Sequence, residues 1–161
     1  MTYKREDLIS AFGGSFYRGM NTCNRTNTLV LISKHTSNRI YGDKLFDNNQ
    51  IMYTGEGQRG DQQLTGGNAK LYYSNRDNTP VHLFVVYKNT EYTYFGLVKL
   101  IGEPTRETEN DVEGNPRLVY RFPLIRLGTP IPMTDEILET TRVGSISLAE
   151  KPIQHVVAAA I

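Results

Sequence analysis

The sequence predicts an α+β domain built on a curved, mostly antiparallel β-sheet or open barrel, with two or three flanking helices. Three observations carry this. Apolar, β-branched runs alternate with turn clusters along most of the chain. Neighbouring runs are linked as hairpins, and the regular strand–helix alternation of a parallel α/β sheet is absent. Helical periodicity is confined to a few short stretches.

The elements follow in order. Tyr3 to Phe12 is the first helix: Thr2 is placed to cap it, Glu6 and Asp7 suit its first turns, and Leu8, Ile9 and Phe12 share one face. Gly13-Gly14 ends it. Ser15 to Asn27 reads as loop. Thr28 to Ser33 is continuous and apolar, the pattern of a buried strand. His35 to Asn49 is irregular apart from Leu45-Phe46, and Gln50 to Thr54 is the next strand. Leu64 to Ser74 suits a helix, ended by the turn cluster Asn75 to Pro80. Val81 to Lys88 and Tyr92 to Ile101 form a hairpin through Asn89-Thr90-Glu91. Thr105 to Pro116 reads as an exposed acidic loop. Leu118 to Leu127 is a further strand, whose alternation of Leu118, Tyr120 and Phe122 against Val119 and Arg121 suggests one wet face. Thr134 caps a short helix through Glu139. The expected organisation is one domain over 1–161, with an N-terminal helix in 1–14 and a C-terminal helix and tail in 134–161.

Composition excludes several classes. A net charge of +1 rules out a polybasic, histone-like protein, although Lys and Arg are in slight excess before about residue 60 and a local basic face remains open. Cys23 is the only cysteine, which excludes an internal disulfide and a cysteine-rich zinc site and fits a reducing cytoplasm. The N-terminus is too polar for a signal peptide, and no apolar run approaches the ~20 residues needed to span a membrane, so no membrane partner is expected. The histidines lack metal-ligand spacing, and nucleophile motifs and a Walker loop are absent. The glycine spacing Gly55-x-Gly57-x-x-Gly60 follows no βαβ unit, so a dinucleotide site is not supported. No catalytic residue, metal or cofactor is expected.

The stretch from Tyr53 to Leu64 is the most informative. Three glycines alternate with Glu56, Gln58, Arg59, Asp61 and Gln62 at the end of an apolar strand. Glycine lets backbone approach a ligand closely, and planar polar side chains beside an aromatic suit a nucleobase and its phosphates.

Tyr53-Thr54-Gly55, Gly57, Asp61-Gln62 and Asn68 resemble the SRA (SET- and RING-associated) family, whose members hold modified cytosine in duplex DNA. Thr28-Leu29-Val30-Leu31-Ile32 and Tyr41-Gly42-Asp43 lie where that family has a strand and its Tyr-Glu-Asp-Asp segment, here with Lys44 after the single acid. Val81-His82-Leu83-Phe84 and Arg121-Phe122-Pro123-Leu124 are similar to the SRA-like variants of bacterial HNH-type restriction endonucleases for modified DNA. The resemblance implies a PUA-like, SRA-like barrel that reads a modified base, 5-modified cytosine above all, by flipping it from double-stranded DNA. It also implies a targeting role in a restriction or defence system, with cleavage in a fused or partner nuclease domain. It assigns Tyr41, Asp43, Tyr53, Thr54 and Gly55 to the base pocket: Tyr41 and Tyr53 as walls, Asp43 as acceptor for the exocyclic amine. Arg59 and Gln58 are candidate backbone or groove contacts, as are Lys34, His35, Arg39, Arg18 and Arg25. Asp61, Gln62 and Asn68 are candidate braces of the loop's own backbone. An RNA-binding PUA-like module and a nuclease with an unrecognised site are the alternatives.

Overall fold

The computed structural model describes residues 2–36, 43–46 and 48–128. Tyr41, Arg39 and the expected helix and tail at 134–161 lie outside the described residues.

Among the described residues nine strands form one sheet: β1 Thr2–Tyr3, β2 Met20–Cys23, β3 Thr28–Lys34, β4 Lys44–Leu45, β5 Gln50–Thr54, β6 Val81–Lys88, β7 Glu91–Leu100, β8 Thr105–Asn110 and β9 Pro116–Arg126. Two short helices, α1 Arg5–Phe12 and α2 Gly66–Tyr72, accompany it. The order is β2-β3-β6-β7-β9-β5-β4, with β1 beside β7 and β8 beside β9. Only β3 and β6 run parallel, so the sheet is largely antiparallel. Among the described residues β2 and β4 end the path unpaired, and the sheet is open, not the barrel expected. The end strands hold four and two residues. A side chain bridges the gap: the Tyr53 hydroxyl on β5 lies 3.0 Å from the carbonyls of both Gly19 and Ile32.

The apolar runs of β3 and β6 are buried on both faces. Leu29 and Leu31, with Leu83 and Val85, face a cluster shared with Ile51, Leu71 of α2 and Phe122. Val30 and Ile32, with Phe84 and Val86, face the other way, against Leu8, Ala11 and Phe12 of α1. This is why neither strand alternates in sequence. His82 shares the second layer, its Nδ1 3.1 Å from the Tyr94 hydroxyl. Burial pushes its pKa down to about 4, so it is a neutral core residue.

Four local expectations change. Thr2 does not cap α1: Tyr3 pairs with Tyr92 in β1, and Lys4 N–H donates to the Asp7 carboxylate at 2.8 Å to open the helix. Gly13, at φ 91°, closes α1 by donating to Ile9. The expected loop at 15–27 contains β2, which is too short to show a period. The first half of the expected acidic loop at 105–116 is β8, a charged edge strand of the kind that discourages further pairing. In β9 the face carrying Arg121 is not wet: Val119 is fully buried and Arg121 is 8% exposed, whereas Leu118 is exposed.

Candidate nucleic-acid interface

A cavity of about 720 Å³ opens between the start of β2, the end of β3 and the loop that follows β5. Tyr17, Arg18 and Lys34 line one side of it. Glu56, Gln58, Arg59 and Gln63 line the other. Asp43 also lines it and is the most buried acid there, at 5% exposure.

Asp43 is held from two strands. Ser33 Oγ of β3 donates to Oδ2 at 2.7 Å, and Thr54 N–H of β5 donates to Oδ1 at 2.7 Å. Burial pushes its pKa up to about 6, against the pull of these donors and of the nearby Arg121 guanidinium. The Thr54 side chain adds a further hydrogen bond to the carboxylate. Arg121 reaches from β9 to the Thr54 hydroxyl and ion-pairs with Glu107 at 2.8 Å and Glu109 at 3.1 Å. A polar chain thus runs from the cavity through Thr54 to the β8–β9 hairpin.

The glycine loop rests on that same hairpin. Gly55 N–H donates to Tyr120 O at 2.9 Å, and Gln62 N–H to Leu118 O at 2.8 Å. Asp61 Oδ1 accepts Leu118 N–H at 2.8 Å. Gln62 Oε1 accepts Tyr120 N–H at 2.9 Å, while its Nε2 donates to Gly55 O at 2.6 Å. Asn68, from α2, accepts Glu56 N–H at 2.8 Å and donates to Glu56 O and Gln63 O at 3.0 and 2.9 Å. A Cβ on Gly55 would lie 2.7 Å from Asn68 Oδ1 and 2.8 Å from Gln62 Oε1, so only glycine fits between the two braces.

The candidate residues separate on these facts. Asp43, Lys34, Arg18, Gln58, Arg59, Asp61, Gln62 and Asn68 surround one cavity. Thr54 and Gly55 lie behind it, fixing Asp43 and the loop. Tyr53 is corrected: it is 2% exposed in the core cluster and lines no part of the cavity, because its hydroxyl anchors it across the sheet opening. Arg25 is exposed and does not line the cavity. Its Nη2 donates to the Ser10 and Ala11 carbonyls at 3.1 and 3.3 Å, closing α1 rather than facing the cavity. His35 does not line the cavity either: its Nε2 lies 2.9 Å from Ser33 Oγ, one bond removed from Asp43. Arg59 pairs with Glu113 at 2.7 Å with both side chains largely exposed, a contact weak enough to exchange for phosphate.

Sequence reasoning missed Ser33, Arg117, Arg121 and the Arg5–Tyr17 pair. Arg117 and Arg121 sit four apart on one face of β9 around the fully buried Val119, and two arginines flanking an apolar position of a strand were a usable signal. Arg5 and Tyr17 had none, since they meet only in space, with the guanidinium 4.4 Å from the ring centroid. Among the described residues there is no cluster of three or more His, Cys, Asp or Glu able to hold a metal, and no helix long and apolar enough to cross a membrane.

An open, curled sheet with this loop and cavity is the fold of SRA domains. The chain is 26% identical to the SUVH5 SRA domain solved with hemimethylated CG DNA, with a TM-score of 0.57 over 81% of this chain and 89% of that one. It shares its fold with a chain comprising the sulfur binding domain and SRA domain of ScoMcrA, solved with phosphorothioated DNA: 20% identity and TM-score 0.64 over 91% of this chain and 45% of that one. The phosphorothioation-dependent Type IV restriction endonuclease ScoMcrA matches with TM-score 0.65 at 18% identity, over 88% of this chain and 30% of that one. The chain therefore spans less than half the length of the ScoMcrA chains it matches. No curated protein matches it. Residues 1–142 match the family described as the ScoMcrA-like SRA domain, and the chain belongs to that family.

Proposed function

We propose that this domain reads a modified base in double-stranded DNA, holding it extruded from the helix in the cavity beside Asp43. One observation carries the reading: a buried carboxylate, fixed by two strands, sits in a cavity of about 720 Å³ rimmed by Arg18, Lys34 and Arg59. That volume falls in the range of roughly 300–1,000 Å³ usual for small-ligand sites. A carboxylate suits the exocyclic amine of cytosine, and the cations suit phosphates on either side of the extruded nucleotide. Likeness to an SRA domain solved with hemimethylated DNA supports 5-modified cytosine as the base. Tyr41 supplies the stacking wall by the family resemblance. The domain itself is a reader without catalysis. Its likeness to part of a restriction endonuclease supports a targeting role in a restriction or defence system, with the nuclease in another domain or subunit.

The test is fluorescence anisotropy on duplexes carrying one central cytosine, 5-methyl-, 5-hydroxymethyl- or glucosylated cytosine, with phosphorothioate duplex and structured RNA as competitors. One modified form binds more tightly than cytosine by about 1–3 kcal/mol, the scale of discrimination at one base. Equal affinity for every cytosine form at physiological salt defeats the proposal. Stronger competition by RNA turns the domain into an RNA reader.

A further inference from the structure

Resting on the reading above, we propose that Arg117 is the positioning residue that sets the tip of the glycine loop, and with it Gln58, in reading position over the cavity. Arg117 lies on β9 and is 3% exposed. Its Nη1 donates to Gly57 O and lies 3.4 Å from Gly60 O. Those two carbonyls bracket Gln58 and Arg59, the tip side chains that line the cavity.

The tip needs an external hold. Gly57 and Gly60 have φ of 120° and 67°, so its backbone rests on residues with the widest conformational freedom. The other contacts at the tip are weak. Val112 N–H donates to Gln58 O at 3.3 Å, Gly60 N–H donates to the exposed Asp111 carboxylate, and the Arg59–Glu113 pair is exposed. The bracing by Gln62 and Asn68 acts at the base of the loop, on Gly55 and Glu56, with one longer contact of 3.2 Å from Gln62 to Gly57 O.

Arg117 contrasts with Arg121 on the same strand face. Arg121 is neutralised by Glu107 and Glu109. Arg117 makes no ion pair among the described residues, and its buried Nε and Nη2 have no partner. Behind the Asn115 N–H, its charge helps hold the Asp111 carboxylate below the usual range without an ion pair to it, and burying a guanidinium so loosely paired costs stability. What it supplies is a fixed donor under two loop carbonyls. Because it is covered, it acts on DNA only through the loop.

The experiment uses Arg117→Met and Arg117→Lys in the whole chain. Binding to modified and unmodified duplexes is measured across salt, and amide hydrogen exchange is followed over residues 57–61 in the free protein. In Arg117→Met the loop samples its reading position in about a tenth of molecules, which lowers affinity for modified duplex roughly tenfold. Gln58 loses its place while the long, exposed Arg59 side chain still reaches phosphate from a mobile tip, so affinity for unmodified duplex and the salt slope stay near wild type, exchange over 57–61 rises, and Arg117→Lys recovers part of the lost affinity and protection. Unchanged preference with unchanged exchange overturns the proposal. So does a salt slope reduced by about one counterion, which makes Arg117 a phosphate contact. Should Arg117→Met fail to fold, Arg117→Lys decides. Faster exchange confined to 57–61 together with lost preference supports the proposal, and faster exchange throughout the sheet with preference kept overturns it. If wild type shows no preference among duplexes, the reader assignment falls, and exchange over 57–61 alone decides the role of Arg117.

Discussion

Lowering the pH from about 7.5 to about 5 carries Asp43 through its own titration, and the structure says what that does to DNA binding. Burial holds the folded-state pKa at about 6. At the upper pH the carboxylate is ionised, the form that suits the exocyclic amine of cytosine. One pH unit below 6 it is about nine-tenths protonated, and the required acceptor is lost in proportion, so affinity for modified duplex falls roughly tenfold, about 1.4 kcal/mol. The fold survives the change because two linkages oppose each other. Asp43 is raised on folding from 3.8 to about 6, so its protonation adds stability as pH falls through that window. At about pH 5 this amounts to roughly 1.4 kcal/mol. His82 is lowered on folding from 6.5 to about 4, so its contribution is lost as pH falls from 6.5 towards 4. At about pH 5 that loss is roughly 2 kcal/mol, leaving a small net change. The assay is anisotropy at constant ionic strength, with urea melts at each pH. Asp43→Asn is the control: it cannot ionise, and its binding is weak and flat with pH. Wild-type affinity independent of pH over this range, or Asp43→Asn binding as wild type, refutes the role of Asp43 as acceptor.

Other perturbations separate core from contact. Tyr53→Ala removes a ring that is 2% exposed and lowers stability by about 3–5 kcal/mol in urea unfolding; full stability with lost DNA preference instead returns the ring to the pocket. Tyr41→Ala keeps the urea midpoint and weakens modified-duplex binding by about 1–3 kcal/mol, the worth of one stacked base; wild-type affinity excludes it as a wall. Arg59→Ala weakens modified and unmodified duplexes alike and reduces the salt slope by about one counterion. A loss of preference alone, with the slope unchanged, makes Arg59 a base reader. Arg121→Met leaves the half-exposed Glu107 and the part-buried Glu109 without their partner and destabilises the fold by about 1–3 kcal/mol, read by urea melts at neutral pH; a wild-type midpoint shows that the network is dispensable.

By itself the sequence determined the elements that carry their own period or punctuation. β3, β5 and the β6–β7 hairpin were legible because their apolar runs are long and their turns marked. The glycine loop was legible because closely spaced glycines among polar residues have few other uses. Asp43 was legible through the resemblance alone. The tertiary structure decided what depends on partners far along the chain. β8 looked like loop until Glu107 and Glu109 met Arg121 across the ladder. β2 was too short to show a pattern before β3 paired with it. Tyr53 had the spacing of a pocket wall, but the carbonyls of Gly19 and Ile32, from 34 and 21 residues away, draw it into the core. The pattern of Arg117 and Arg121 around Val119 marks a buried position at most, and nothing local shows that Gly57 O, 60 residues upstream, will lie against Arg117. Local sequence encodes propensity and chemistry. Which polar groups are buried together is set by how the sheet curls, and that is a property of the whole chain.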